Sequence, residues 1–248
     1  MKSPLIIVGL LFASAVHAQV IVDDFNGSSI NSSLWTVSTP FSDSSVTESG
    51  GDAIFNNRGR LLSTTALPSD FTLTGQFAFT GSAFDHFEVV TFTNGVQSTA
   101  SGEFNGLTVE FGLQTDGGST TNNIEVEEAN FPTSATSIGA ATVPISLNTL
   151  YDFELVKSGN DLSVYFNDDP TAIITAASTY TNVGPDLAMY NREGAGAGSS
   201  ISAGSQVQLN DISVQSVPEP ASFSLILSIA AIAFTLISRK SKNTTVKL

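Results

Sequence analysis

The chain has no cysteine among its 248 residues, so no disulfide can staple it and any fold must be held by its own core. Histidine is nearly missing too. His17 lies in an apolar N-terminal stretch, which leaves His86 as the single imidazole of the remaining chain. A metal or catalytic site needing two imidazoles is thereby excluded. With no Cys, one such His and no G-x-S-x-G sequence, a Ser or Cys triad lacks its parts. Basic residues are scarce, nine Lys and Arg against twenty-three acids. Between residues 19 and 217 only Arg58, Arg60, Lys157 and Arg192 face twenty-two acids, a net charge of −18. Nucleic acid is excluded as a partner, because its binding rests on Lys and Arg neutralising phosphates. An acidic surface suits solubility, divalent cations, or neutral and cationic partners.

What the middle region does have is alternation. In Phe71-Thr72-Leu73-Thr74-Gly75-Gln76-Phe77-Ala78-Phe79, the residues Phe71, Leu73, Phe77 and Phe79 share one face of a two-residue repeat. The same pattern marks strands at 87–92, 107–111, 151–155 and 162–166. The turn-rich Lys157-Ser158-Gly159-Asn160-Asp161 joins the last two as a hairpin. Further strands are expected at 20–25, 35–37, 52–55, 60–64, 123–127, 172–174, 187–190 and 207–214. No segment between the two ends carries a sustained helical apolar repeat. Seventeen Phe, abundant Ser and Thr, and Gly/Asn/Asp punctuation predict an all-β fold, an antiparallel two-sheet jelly-roll sandwich. About 199 residues is ample for one core, which at that size buries ~70% of the unfolded surface.

The two ends read as addresses. Lys2, the apolar 5–13 run and Val16-His17-Ala18 form a signal peptide over 1–18, with cleavage between Ala18 and Gln19. At the other end Val217-Pro218-Glu219-Pro220 precedes an uncharged run, 221–238, and then Arg239, Lys240 and Lys242. Eighteen helical residues span about 27 Å against roughly 30 Å of bilayer hydrocarbon, so one transmembrane helix is expected with its basic anchor in the cytoplasm. This 217–242 segment resembles a PEP-CTERM sorting signal. The resemblance implies recognition by an exosortase, a membrane protease, and passage from the inner membrane to the cell surface or extracellular matrix of a bacterium. The expected organisation is then a signal peptide at 1–18, an ectodomain at 19–216, the sorting signal at 217–242 and a cytoplasmic tail at 243–248.

A second resemblance covers the ectodomain. Asp23-Asp24-Phe25-Asn26-Gly27 with Leu34-Trp35, the 151–167 hairpin, and the closing 207–214 segment are similar to concanavalin A-like jelly rolls. That likeness implies first and last strands lying side by side and a face that meets glycans. Within it, Ile124-Glu125-Val126-Glu127-Glu128 resembles the catalytic strand of glycoside hydrolase family sixteen. Ala129 stands where the acid/base belongs and Glu128 falls on the opposite face, so no catalytic residue is expected, and an exposed acidic strand face is the alternative reading. Tyr180, Tyr190 and Asn191 are the freest candidates for a glycan-binding surface, since sugars stack on aromatic rings and bond to amides. The partner would be an extracellular polysaccharide. The rival from another class is a structural matrix protein without a defined ligand. If the terminal strands are neighbours, Asp24 and Asp211 could hold a structural calcium, with water-facing strand ends as the alternative. The 194–198 Gly-rich run lacks the Lys of a phosphate loop and reads as a surface loop.

Overall fold

The computed structural model describes residues 19–40, 44–81, 84–95, 104–114, 123–130, 134–180, 184–192 and 206–217. The expected signal peptide, the motif residues Pro218, Glu219 and Pro220, the membrane span, the basic anchor and the Gly-rich run lie outside them. Among the described residues no helix is long and apolar enough to cross a membrane. Gln19–Val217 forms one compact unit.

Among the described residues its elements are fifteen strands: β1 (Gln19–Asp23), β2 (Trp35–Ser38), β3 (Ser45–Ser49), β4 (Asp52–Asn56), β5 (Arg60–Ser63), β6 (Phe71–Phe79), β7 (Phe84–Thr93), β8 (Gly106–Gln114), β9 (Asn123–Asn130), β10 (Ser134–Thr142), β11 (Tyr151–Ser158), β12 (Asp161–Phe166), β13 (Ile174–Ala177), β14 (Asp186–Asn191) and β15 (Gln206–Ser216). They form two antiparallel sheets. One runs β13-β12-β11-β6-β15-β4-β3, with β1 also on β15, and the other runs β10-β9-β8-β7-β14-β5-β2. The first and last strands are neighbours, Asp23 opposite Ile212, as the concanavalin A-like resemblance implies.

Period-two alternation builds the core between the sheets. Phe71, Leu73, Phe77 and Phe79 of β6 are all buried, as their shared face requires. Phe77 sits at the centre, its ring 4.8 Å from that of Phe111, 5.3 Å from Phe87 and 6.0 Å from Phe153. Such tilted pairs add about 0.5–1.5 kcal/mol each beyond the area they bury. Trp35 is buried as well, and its indole Nε1 donates to Asp23 Oδ2 at 2.8 Å, which satisfies the one polar atom of the ring. The 151–166 hairpin is present, with Ser158 opposite Asp161 and Gly159 at φ 56° in the turn. The strand expected at 172–174 begins instead at Ile174, and β3 and β10 were not expected at all.

Candidate ligand-binding site

Facing inward, Phe77, Phe153 and Phe166 serve the core, so their neighbours Gln76, Asp152, Glu154 and Tyr165 face outward from the first sheet. Register brings them into rows. Tyr165 lies opposite Glu154, and Glu154 opposite Thr74. Asp152 lies opposite Gln76, and Gln76 opposite Asp211, where a bulge between Leu209 and Asp211 resets β15. Gly75 permits this close approach. A Cβ there would stand 2.8 Å from the Asp211 carbonyl oxygen and 2.9 Å from the Phe153 ring.

The loop after β12 curls over these rows. Asn167 and Asp168 adopt φ 56° and 59°, conformations Asn and Asp tolerate better than most residues. The Asn167 amide donates to the Asp152 carbonyl at 2.8 Å, and the Thr171 amide to Asp169 Oδ1 at 2.9 Å. The result is an open cleft of about 550 Å³ bounded by Thr74, Gln76, Asp152, Glu154, Tyr165 and the 167–170 loop, with Asp211 at its side. Gln76 Nε2 donates to Asp152 Oδ1 at 2.5 Å and aims that carboxylate. Partial desolvation and then the neighbouring Asp152 push the Asp211 carboxyl above the usual carboxylate range, against a hydrogen bond from the Gln76 backbone. Among the described residues no Lys, Arg or His lines the cleft.

The outer face of the second sheet carries a different set. Glu88, Glu110 and Glu125 stand in register on β7, β8 and β9. Arg192 Nη1 bridges two of them, 3.0 Å from Glu88 Oε1 and 2.8 Å from Glu110 Oε2, and the Tyr190 hydroxyl donates to Glu88. His86 Nδ1 is 3.2 Å from Glu110 Oε1, and burial, followed by the charge of Arg192, lowers its pKa to about 4. Phe104 covers this face. Its ring meets Tyr190 at 5.5 Å, and the Arg60 guanidinium lies 5.4 Å from both ring centres.

The expectation for Tyr190 and Asn191 needs correction here. Tyr190 is only 2% exposed and Asn191 is fully buried, so neither belongs to a glycan-binding surface. The reason is a second apolar cluster of Val90, Phe104, Ala188 and Tyr190, which closes over a face that alternation alone would leave to water. Tyr180 is half-buried against the core. Its hydroxyl is enclosed, with its pKa pushed up to about 12 by burial and then by Glu128. It borders a smaller cavity of about 260 Å³ with Phe92 and Lys157, away from the cleft. Asp24 and Asp211 are on neighbouring chain segments, yet Asp24 is fully exposed and accepts from the Asn26 amide at 3.3 Å, while Asp211 faces Asp152. Calcium takes six to eight oxygens, and among the described residues no group of three or more acidic or imidazole side chains is placed to hold a metal. An ion held by Asp24 and Asp211 would have to draw the rest of its oxygens from backbone carbonyls.

On β9, Glu125 and Glu127 are half-buried on the outward face while Ile124 and Val126 are buried. Glu128 turns the other way, and its carboxylate accepts from Ser178 Oγ at 3.0 Å and from the amides of Thr179 at 2.6 Å and Tyr180 at 3.1 Å. Ala129 is buried beside them. The residues that sequence reasoning missed are the cleft set, Asp152, Glu154 and Tyr165. Their outward alternation was visible, but the pairing of β11 with β6 and of β6 with β15 that brings the set together was not.

No family model matches the chain, and no curated protein matches it. Solved structures do match in fold. A β-1,3-glucanase from Mycobacterium marinum superposes with a TM-score of 0.56 at 13% identity, over 79% of this chain and 98% of its own. The exoplasmic/lumenal domain of VIP36 in its Ca²⁺/Man3GlcNAc-bound form gives 0.56 at 13% identity, over 76% and 87%. The carbohydrate-binding module CBM66 from Bacillus subtilis gives 0.51 at 13% identity, over 73% of this chain and 95% of the module. At such identities the likeness is one of architecture, and the sandwich shares its fold with these domains.

Proposed function

We propose that the chain is an exported cell-envelope or extracellular-matrix protein whose sandwich binds a glycan without cleaving it, the cleft on the first sheet being the binding site. The cleft is the observation that carries this reading. Its volume falls within the roughly 300–1,000 Å³ of small-ligand sites, and Tyr165 offers a half-exposed ring beside Thr74, Gln76, Asn167 and several carboxylates that accept from sugar hydroxyls. The carbohydrate-related names of the matching structures support the same class. Catalysis is not proposed, because Ala129 removes the third acid of the family-sixteen pattern and Glu128 is occupied by Ser178, Thr179 and Tyr180.

A glycan array on recombinant 19–217, with and without calcium, tests the reading. Binding that disappears in a Tyr165→Ala, Asp152→Ala double variant is expected, and flat signals on every glycan would move the weight to a structural matrix protein. Glu125-dependent turnover of a β-glucan would overturn the non-catalytic part. The sorting proposal stands on the sequence of 217–242. Two prolines disfavour helix and central strand, so the segment would stay extended and accessible to an exosortase at the membrane. Replacing Pro218, Glu219 and Pro220 by alanine should leave the sandwich folded and the protein retained, unprocessed, in the inner membrane. Normal release of that variant would end the proposal.

A further inference from the structure

We infer that the cleft on the first sheet selects glycans carrying positively charged amino groups, that is, sugars whose amines are free rather than acylated; the inference rests on the glycan-binding reading of that cleft. Asp152 and Glu154 line it from β11, Asp211 from β15, and Asp168 and Asp169 from the overhanging loop. None of the four basic residues between 19 and 217 borders it. Arg192 is committed to Glu88 and Glu110 on the other sheet. Arg60 lies against Phe104 and Tyr190, and Lys157 donates to the Gly159 carbonyl beside Phe92. The negative charge of the cleft is therefore not neutralised from within, and a concave site lined by one sign of charge concentrates ligands of the other.

The arrangement also narrows what kind of cation fits. The carboxylates are spread across two strands and a loop, and among the described residues no three of them converge as a metal shell requires. Charges spaced along a cleft of about 550 Å³ match a ligand that is itself extended, with amines repeated along a chain of sugar rings. Tyr165 then provides a face for one ring, and Thr74, Gln76 and Asn167 complete the hydrogen bonds to its hydroxyls. A uronate or sulfated glycan would meet like charge at every position, and a neutral one would gain hydrogen bonds but leave the acids uncompensated.

The test is calorimetric titration of recombinant 19–217, a unit compact in itself, with glucosamine tetramer, its N-acetylated counterpart, a glucose tetramer, and calcium alone. At about pH 6 sugar amines are protonated and ordinary carboxylates ionised. The amine-bearing tetramer should bind at least about tenfold more tightly than the other two sugars, since an exposed charge pair is worth up to about fivefold and a chain of amines can form at least two. The preference should collapse in Asp152→Asn and in Asp169→Asn, and persist in Glu127→Gln on the opposite sheet. Circular dichroism and melting curves confirm that each variant is folded. Equal affinity for all three sugars would overturn charge selection and leave the glycan reading standing. Absence of binding by any sugar removes both. Calcium binding that Asp152→Asn abolishes, with no amine preference, would replace the inference by a metal site.

Discussion

The outer faces of the two sheets both present acids in cross-strand rows, and they use them in opposite ways. On the second sheet Glu88 and Glu110 are bridged by Arg192, Glu88 also takes the Tyr190 hydroxyl, and Phe104 closes over part of the face. On the first sheet Asp152, Glu154 and Asp211 face an open cleft with no cation on its lining. Both faces carry several acids, so their number does not decide the role. What separates the faces is whether the charge is compensated inside the protein, which stabilises the fold, or left for a ligand to compensate.

The comparison breaks most visibly at Arg192. Replacing it by Met leaves Glu88, whose side chain is 3% exposed, buried without its countercharge, and a loss of about 3–5 kcal/mol is expected. Asp152→Asn on the cleft face should stay within about 0.5 kcal/mol of the parent. Urea denaturation of the two variants side by side decides it, and equal effects would show that the faces do not differ in kind.

His86 sharpens the contrast through pH. Its folded pKa lies at about 4, below the 6.5 of an unperturbed histidine, so between those values the unfolded chain binds more protons. Stability from this site is then complete above about pH 6.5 and lost as pH falls toward 4, on the order of 3 kcal/mol in all. His86→Gln should flatten stability across that window. If the parent and variant curves run parallel there, His86 is not buried beside Arg192 as described.

The smallest effect belongs to Asp211. Its pKa is raised, so the fold disfavours the ionised form and the residue opposes stability once pH exceeds the ordinary carboxylate range. Asp211→Asn should therefore raise the melting temperature slightly at neutral pH and leave it unchanged in acid. A fall at neutral pH would mean that Asp211 has an internal countercharge.

Much of this architecture was legible because strong alternation survives in β6, β8, β11, β12 and β15, where the inward positions other than Gly75 and Lys157 are aromatic or aliphatic. The strands that escaped notice have no such signature. Ser134–Thr142 of β10 is mostly exposed Ser, Ala and Thr at the sheet edge, and Ser45–Ser49 of β3 buries one apolar residue, Val46. The site was harder to read because it is an agreement among distant segments. Asp152, Gln76 and Asp211 meet through pairing of β11 with β6 and of β6 with β15, and one bulge fixes the last of them. Tyr190 misled for the converse reason. Its phase in β14 points it away from the main core, but Phe104, from far along the chain, converts that position into an interior.

The place of β15 carries a consequence for how the molecule is made. It pairs with β6 on one side and with both β4 and β1 on the other, so the last strand in the chain joins elements from the first third. Until residues 206–216 have emerged, β6, β4 and β1 each keep an unsatisfied edge, and the eight-stranded sheet exists only as fragments. A chain synthesised from its N-terminus can form its hairpins as they emerge, but the first sheet closes only when β15 arrives, through long-range pairings of the kind that raise contact order and slow folding.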